Sequence, residues 1–272
     1  MRQSRPARLP ALLPALFPNA YLLALPIIML TASFSAKAEI TYTASLGVGV
    51  SQEYQGSRVY HAAPEIALRA DFGNGWFVDT AQGAGYATTF SNSMFASAVL
   101  AYDGGRKEKQ SYNTPGNDYL KGMGDISGSV LGVITVGMPI YGKTTTSLTL
   151  ELPLTHSERG VAGHVDLTVP VFDQGAHKIT ITPSVHFGSS KYTQSFFGVT
   201  AQQAANTTFN AYSTHAGVDS TSVSAAWSYT ITPNWSTHTE LGVSRLLGDA
   251  AGSPIVQKKQ GFFAMSVVSY TF

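Results

Sequence analysis

Histidine, serine and carboxylates are the raw material for acid–base, nucleophilic or metal chemistry. The chain has seven histidines and 16 acidic residues, so their spacing is tested first. His156 and His164 flank a loop, and His186 and His238 fall on the polar faces of two separate predicted strands. No HExxH or similar ligand spacing occurs, and there is no GxSxG around a serine. With no cysteine there is no thiolate ligand, thiol nucleophile or disulfide framework. The expectation is a non-enzymatic protein without a metal or cofactor.

The remaining charges suggest structural or lining roles. Glu65, Arg69, Glu151, Asp166, Lys178 and Glu240 each stand on the polar side of an alternating segment. Asp103, Arg106 and Asp125 bracket a long loop, and an Arg–carboxylate pairing there would pin its base with bidentate geometry. Lys107, Glu108 and Lys109 form a mixed run suited to a solvated surface.

The elements that position these groups read as strands. In TSLTLELPLT, residues 146–155, Leu148, Leu150, Leu152 and Leu154 alternate with Thr149, Glu151 and Pro153. The same period of two runs through 40–50, 65–72, 165–171, 178–187 and 222–231, and no helical period appears. Such a pattern fits a soluble sandwich or a membrane barrel, and three features select the barrel. Short turns such as Gly73-Asn74-Gly75, Tyr141-Gly142-Lys143, Asp173-Gln174-Gly175 and Thr232-Pro233-Asn234 occur with long loops at 51–61, 103–123, 189–211 and 249–260, and after Met123 the connections alternate broadly as short, medium, short, long, short, long. The polar faces carry Thr, Ser and Gly more than Lys and Glu; charged residues are only 12% of the chain. Aromatic residues such as Phe72, Trp76, Phe172, Phe187 and Trp235 sit near strand ends, as an interfacial girdle would place them.

The final strand closes with Tyr270 and Phe272 on one face, a candidate signal for the machinery that assembles barrels in the outer membrane. The expected fold is an all-β, transmembrane, antiparallel up-and-down barrel of twelve strands, with ten as the alternative. The open point is 76–90, where Gly83 and Gly85 make either a turn or a kink.

Residues 1–38 read as a secretory signal: Arg2, Arg5 and Arg8, an apolar stretch, then Ala36-Lys37-Ala38 before the cut. Residues 39–272 would form the barrel. Removing the signal takes four of the 17 basic residues and leaves the 16 acidic ones in slight excess, which argues against a nucleic-acid partner. Beyond residue 38 no apolar run reaches the ~20 residues of a membrane helix. The expected location is the outer membrane of a Gram-negative bacterium, with outer-membrane lipid as a partner.

Three segments carry a family resemblance. Tyr102-Asp103-Gly104-Gly105-Arg106 precedes Leu120-Lys121-Gly122-Met123-Gly124-Asp125-Ile126. Phe196-Phe197-Gly198-Val199 precedes Gln202, Gln203, Tyr212 and Ala216-Gly217. Leu246-Leu247-Gly248-Asp249-Ala250-Ala251-Gly252-Ser253-Pro254-Ile255-Val256 leads into the last strand. In this order they resemble the MipA/OmpV family of outer-membrane proteins across essentially all of 39–272. Phe196 departs from the tyrosine expected there. The resemblance implies an outer-membrane barrel and singles out Asp103, Arg106, Asp125, Gly198, Asp249, Ser253 and Pro254 as family-motif loop residues. For some members it implies a scaffold for a lytic transglycosylase and a peptidoglycan synthase, and for others surface adhesion or stress roles. A small-solute channel lined by the six strand charges, or an adhesin working through loop 189–211, are the alternatives.

Overall fold

The computed structural model describes residues 40–110 and 114–272; the expected signal segment lies outside them. Twelve antiparallel strands close into one barrel, each beside its neighbours in sequence, with the first strand pairing the last. They are β1 (Thr41–Gln52), β2 (Tyr60–Asp71), β3 (Trp76–Asp79), β4 (Gly83–Thr89), β5 (Phe95–Asp103), β6 (Ser129–Tyr141), β7 (Thr144–Pro153), β8 (Ala162–Gln174), β9 (His177–Gly188), β10 (Gly217–Thr230), β11 (Trp235–Leu246) and β12 (Gln260–Thr271).

The two side-chain faces are separated throughout. Leu46, Leu68, Leu100, Leu241 and Val243 point outward and are 56–64% exposed, while Thr149, His164, Ser184 and His186 on the inner face are 2–7% exposed. This reverses a soluble protein, whose alternating strands bury the apolar side. A band of exposed leucine, valine and isoleucine around a closed sheet is the surface of a barrel that crosses a membrane on strands.

The inner face is filled rather than hollow at several levels. The Phe95 ring lies over Gly137 of β6, and the Phe263 ring over Gly242 of β11; a Cβ at either glycine would sit 2.1 Å from the ring. The glycines are required there because each is the cross-strand partner of the aromatic residue.

Two sequence expectations change. The turn between β3 and β4 is Thr80-Ala81-Gln82, and Gly83 and Gly85 both lie inside β4. Asp79 makes that turn by accepting the N–H groups of Ala81 and Gln82 at 2.8 and 3.0 Å. α-Helix is also present, as three short pieces confined to loops: α1 (Ser190–Phe197), α2 (Ala201–Asn206) and α3 (Gly248–Gly252). Each is five to eight residues long, too short to leave a periodic trace. Caps fix the first two. Ser189 accepts from the Tyr192 N–H, and Thr200 with Gln203 forms a capping box.

Candidate functional site

The long connections, with the three-residue β3–β4 turn, lie toward one end of the barrel, and the other short turns share the opposite end, where β1 begins and β12 ends. At the long-loop end the connections fold together into a roof with its own apolar core. Tyr54 from the β1–β2 loop, Leu120 and Met123 from the β5–β6 loop, Val199 and Phe209 from the β9–β10 loop and Ile255 from the β11–β12 loop pack as one cluster. Beside it, Tyr192 and Phe197 of α1 pack on Ala162, Leu246 and Ala250. Leu120, Phe197 and Ile255 have no solvent exposure at all. Loops that merely hung in water would not bury such groups.

Polar bonds tie the same loops across the mouth. The Tyr54 hydroxyl donates to the Ile255 carbonyl at 2.8 Å, Gln203 Nε2 to the Met123 carbonyl at 2.6 Å, and Tyr212 to the Asp249 carbonyl at 2.9 Å. Ser253 Oγ donates to the Phe197 carbonyl, and Asn117 to the Glu53 carboxylate. Burial pushes the Tyr54 hydroxyl above its ordinary range. Burial is also the first cause raising Tyr192, followed by the negative charges of Asp219 and Glu151.

Beneath the roof, the inner wall carries a buried polar cluster. The register sets Thr149, His164 and His186 side by side across β7, β8 and β9. His186 Nδ1 lies 2.6 Å from Asp219 Oδ1, both side chains being at most 5% exposed. A bulge between Val218 and Ser220 turns Asp219 inward to make that contact. His164 Nε2 lies 3.4 Å from Asp166, and His238 Nε2 lies 3.9 Å from Glu240. Tyr192 of the roof packs on the His186 ring at 5.4 Å, so roof and wall touch at this point. Among the described residues no group of three or more His, Asp or Glu is arranged to hold a metal ion.

Glu65, Glu151, Asp166, Lys178 and Glu240 occupy inward register positions on β2, β7, β8, β9 and β11. They are spread around the wall and do not converge on one point. Arg69 is engaged near the short-turn end, bonded to Asp71 at 2.7 Å, 3.6 Å from Asp79 and 4.1 Å from the Phe77 ring centre. Tyr270 packs between Trp235 and Phe272 at the short-turn end, with ring centres 4.8 Å from each.

The expected Asp103–Arg106–Asp125 pairing is replaced by three separate contacts. Asp103 pairs with Arg159, 56 residues away, and Arg159 also donates to the Ser127 carbonyl at 3.2 Å. Asp125 pairs with Lys107 at 2.8 Å, which holds its carboxyl below the usual range. Arg106 is buried and donates to the Phe196 carbonyl at 2.7 Å; burial pushes its guanidinium down to about 10. The physical reason is geometric. The Arg106 and Ile126 backbones bond to each other, so the loop base is already closed and the side chains are free to reach other loops. Gly198 ends α1, Asp249 bonds His215 at 2.9 Å, and Ser253-Pro254 carries Ile255 into the roof core.

Nothing in the sequence marks Arg159 or Asp219 strongly. Asp219 had a faint signal, an acid interrupting the alternation that resumes at Val223; Arg159 had none.

The family model described as MltA-interacting protein MipA matches residues 44–272. No curated protein matches the chain. Among solved structures, the chain is similar to the NanC porin at 10% identity, covering 84% of this chain and 98% of that one with a TM-score of 0.47. It is also similar to an outer membrane channel from Pseudomonas putida F1 at 8% identity, covering 86% and 95% with a TM-score of 0.44.

Proposed function

We propose, given that this chain belongs to the MltA-interacting protein MipA family, that it is a non-enzymatic barrel of the Gram-negative outer membrane that holds a lytic transglycosylase, and through it a peptidoglycan synthase, at the inner leaflet. The family description supplies the partner class. The observation that favours a holding role over transport is the roof, whose zero-exposure residues Leu120, Phe197 and Ile255 span loops from different sides of the mouth. Loops packed over the mouth in this way favour holding over conduction.

The long loops then face outward and the short turns face the periplasm, as in other outer-membrane barrels. The surface left to a periplasmic partner is the short-turn end: Gly73-Asn74-Gly75, Ser91-Asn92-Ser93, Gly142-Lys143, Gly175-Ala176 and Thr232-Pro233-Asn234. It is small, so the reading predicts a modest, salt-sensitive contact rather than an obligate interface. The test is co-elution of the detergent-solubilised chain with a purified MltA-type lytic transglycosylase. Binding that disappears when the turn residues Asn74, Lys143 and Asn234 are replaced supports the reading. Absence of binding across a range of salt overturns it.

A second reading, recognition of a ligand at the cell surface, is favoured by one feature of the roof. A cavity of about 460 Å³ opens between loops, lined by Lys109, Tyr119, Lys121, Asn206, Thr207 and Phe209 among others. Replacing Tyr119 and Lys121 should abolish surface binding while the barrel still assembles; unchanged binding would remove this reading.

A further inference from the structure

Four cations gather at the barrel rim, where β1 and β11 end and β2 and β12 begin. They are Arg58, Arg245, Lys258 and Lys259, all exposed. Arg245 and its register partner Gln260 share the outward face with Val243 and Phe262. Arg58 and Lys258 lie two residues before the starts of β2 and β12, and Lys259 sits at the rim beside Leu246. Among the described residues none of the four lies within ion-pair distance of a carboxylate. The carboxylates nearest in sequence are used elsewhere: Glu53 by Gln110 and Asn117 inside the roof, and Asp249 by His215.

The cluster rides on a stitched frame. The N–H groups of Gln257 and Lys258 both donate to the Gly56 carbonyl, at 2.8 and 3.0 Å, and the Arg58 N–H donates to Gln257 Oε1 at 3.1 Å. The Leu246 N–H donates to the Lys259 carbonyl at 2.7 Å, which sets Lys259 beside the strand that carries Arg245. Neighbouring cations held on fixed backbone repel one another unless an anion lies among them. Directly below, the Tyr60 and Phe262 rings stack at 4.2 Å, with Val243 exposed at 60%. Cations above and an apolar, aromatic floor below match a molecule with phosphate at its head and hydrocarbon beneath.

We infer that this face docks the phosphorylated headgroup of a glycolipid in the outer leaflet. Its phosphates sit among Arg58, Arg245, Lys258 and Lys259, and its acyl chains run down past Tyr60, Phe262 and Val243. Guanidinium forks pair phosphate oxygens bidentately, and the lysines add point charge. The inference rests on the outer-membrane placement proposed above.

The full chain is reconstituted into phosphatidylcholine vesicles containing equal mole fractions of phosphatidylglycerol and bisphosphorylated lipid A. It is then re-extracted in mild detergent, and retained lipid is counted by native mass spectrometry. The wild-type chain is expected to keep lipid A in preference to both phospholipids and to lose that preference for dephosphorylated lipid A. The quadruple Arg58→Gln, Arg245→Gln, Lys258→Gln, Lys259→Gln variant should retain about tenfold less or lower still, given the attraction each basic residue has for an anionic surface. The paired variants Arg58→Gln with Lys258→Gln, and Arg245→Gln with Lys259→Gln, should each fall between, which keeps the test valid if the quadruple variant fails to fold. Equal retention of phosphatidylglycerol, unchanged retention by the variants, or an equal loss with Lys143→Gln at the opposite rim would overturn the inference. If the chain does not float with the vesicles at all, the membrane placement falls with it; if it floats without selective retention, only the lipid site falls.

Discussion

Arg159 shows what a single buried charge does in the roof. Its guanidinium pairs with Asp103, donates to the Ser127 carbonyl and lies 5.4 Å from the centre of the Phe196 ring, with only 7% of its side chain exposed. Arg159→Met removes the cation but leaves the Asp103 charge inside the loops, so the roof should lose about 3 kcal/mol. Protease cutting in residues 103–129 and 188–217 would report the loss, with the strands still protected. Arg159→Lys should recover part of it, because the point charge survives but the fork does not. Three carboxylates make the roof sensitive to acid. Glu108 accepts the N–H groups of Gly124 and Gly122, Asp125 accepts Lys107, and Asp249 accepts His215, and each carboxyl is thereby held below its ordinary range. A carboxyl lowered in the folded state contributes stability above its unfolded value and loses it as pH falls through the folded value. The roof should therefore loosen only below the ordinary carboxylate range. Amide exchange measured against pH should rise first in the loops and not in β1–β12; loops that stay protected down to the lowest pH would contradict this.

At the scale of the element, one leucine separates a lipid-facing wall from a solvent-facing one. Leu241 sits at the middle of β11, pointing outward and 58% exposed. Leu241→Arg should cost about 2–4 kcal/mol for folding into lipid vesicles, as a cation at the bilayer midplane does. Leu241→Val should cost under about 1.5 kcal/mol, since it keeps an apolar surface. Equal, small effects of both would mean that water covers this wall. The strands were legible in the sequence because each outward side chain meets an apolar surrounding, so that Leu148 to Leu154 or Val223 to Tyr229 had to alternate. The loop parity was legible after Met123, where tight-turn residues such as Gly142-Lys143 alternate with longer connections, but not before it, because the short β3–β4 turn lies on the long-loop side. Most of the roof was not legible, although Gly248, Gly252 and Pro254 mark 249–256 as a compact, ordered connection at the mouth, where Ile255 is found in the roof core. Its helices are too short for a period, and the capping box at Thr200 and Gln203 was its main local signature. Its ion pairs join residues far apart, as with Asp103 and Arg159, so neighbouring charges such as Arg106 and Asp125 misdirect a local reading. The inward turn of Asp219 depends on a bulge, which one slipped residue in β10 creates and composition does not reveal.

The whole molecule has an apolar outside, a polar inside and one end covered by folded loops. Closure predicts no steady conductance for the wild-type chain in planar bilayers. Deleting residues 190–206, which removes α1 and α2 and with them Tyr192, Phe197 and Val199 of the roof core, should produce open events. Steady current through the wild-type chain would favour a pore. The outward face itself can be read from three residues, because Trp76, Trp227 and Trp235 all point outward near the short-turn end and are 38–54% exposed. The most direct measurement is their fluorescence in vesicles of acyl-chain-brominated lipid. The account predicts blue-shifted emission, strong quenching that is greater for bromines near the headgroup than near the chain ends, and little quenching by aqueous iodide. Red-shifted emission quenched by iodide and untouched by brominated chains would show that the apolar face meets water, and would contradict the account.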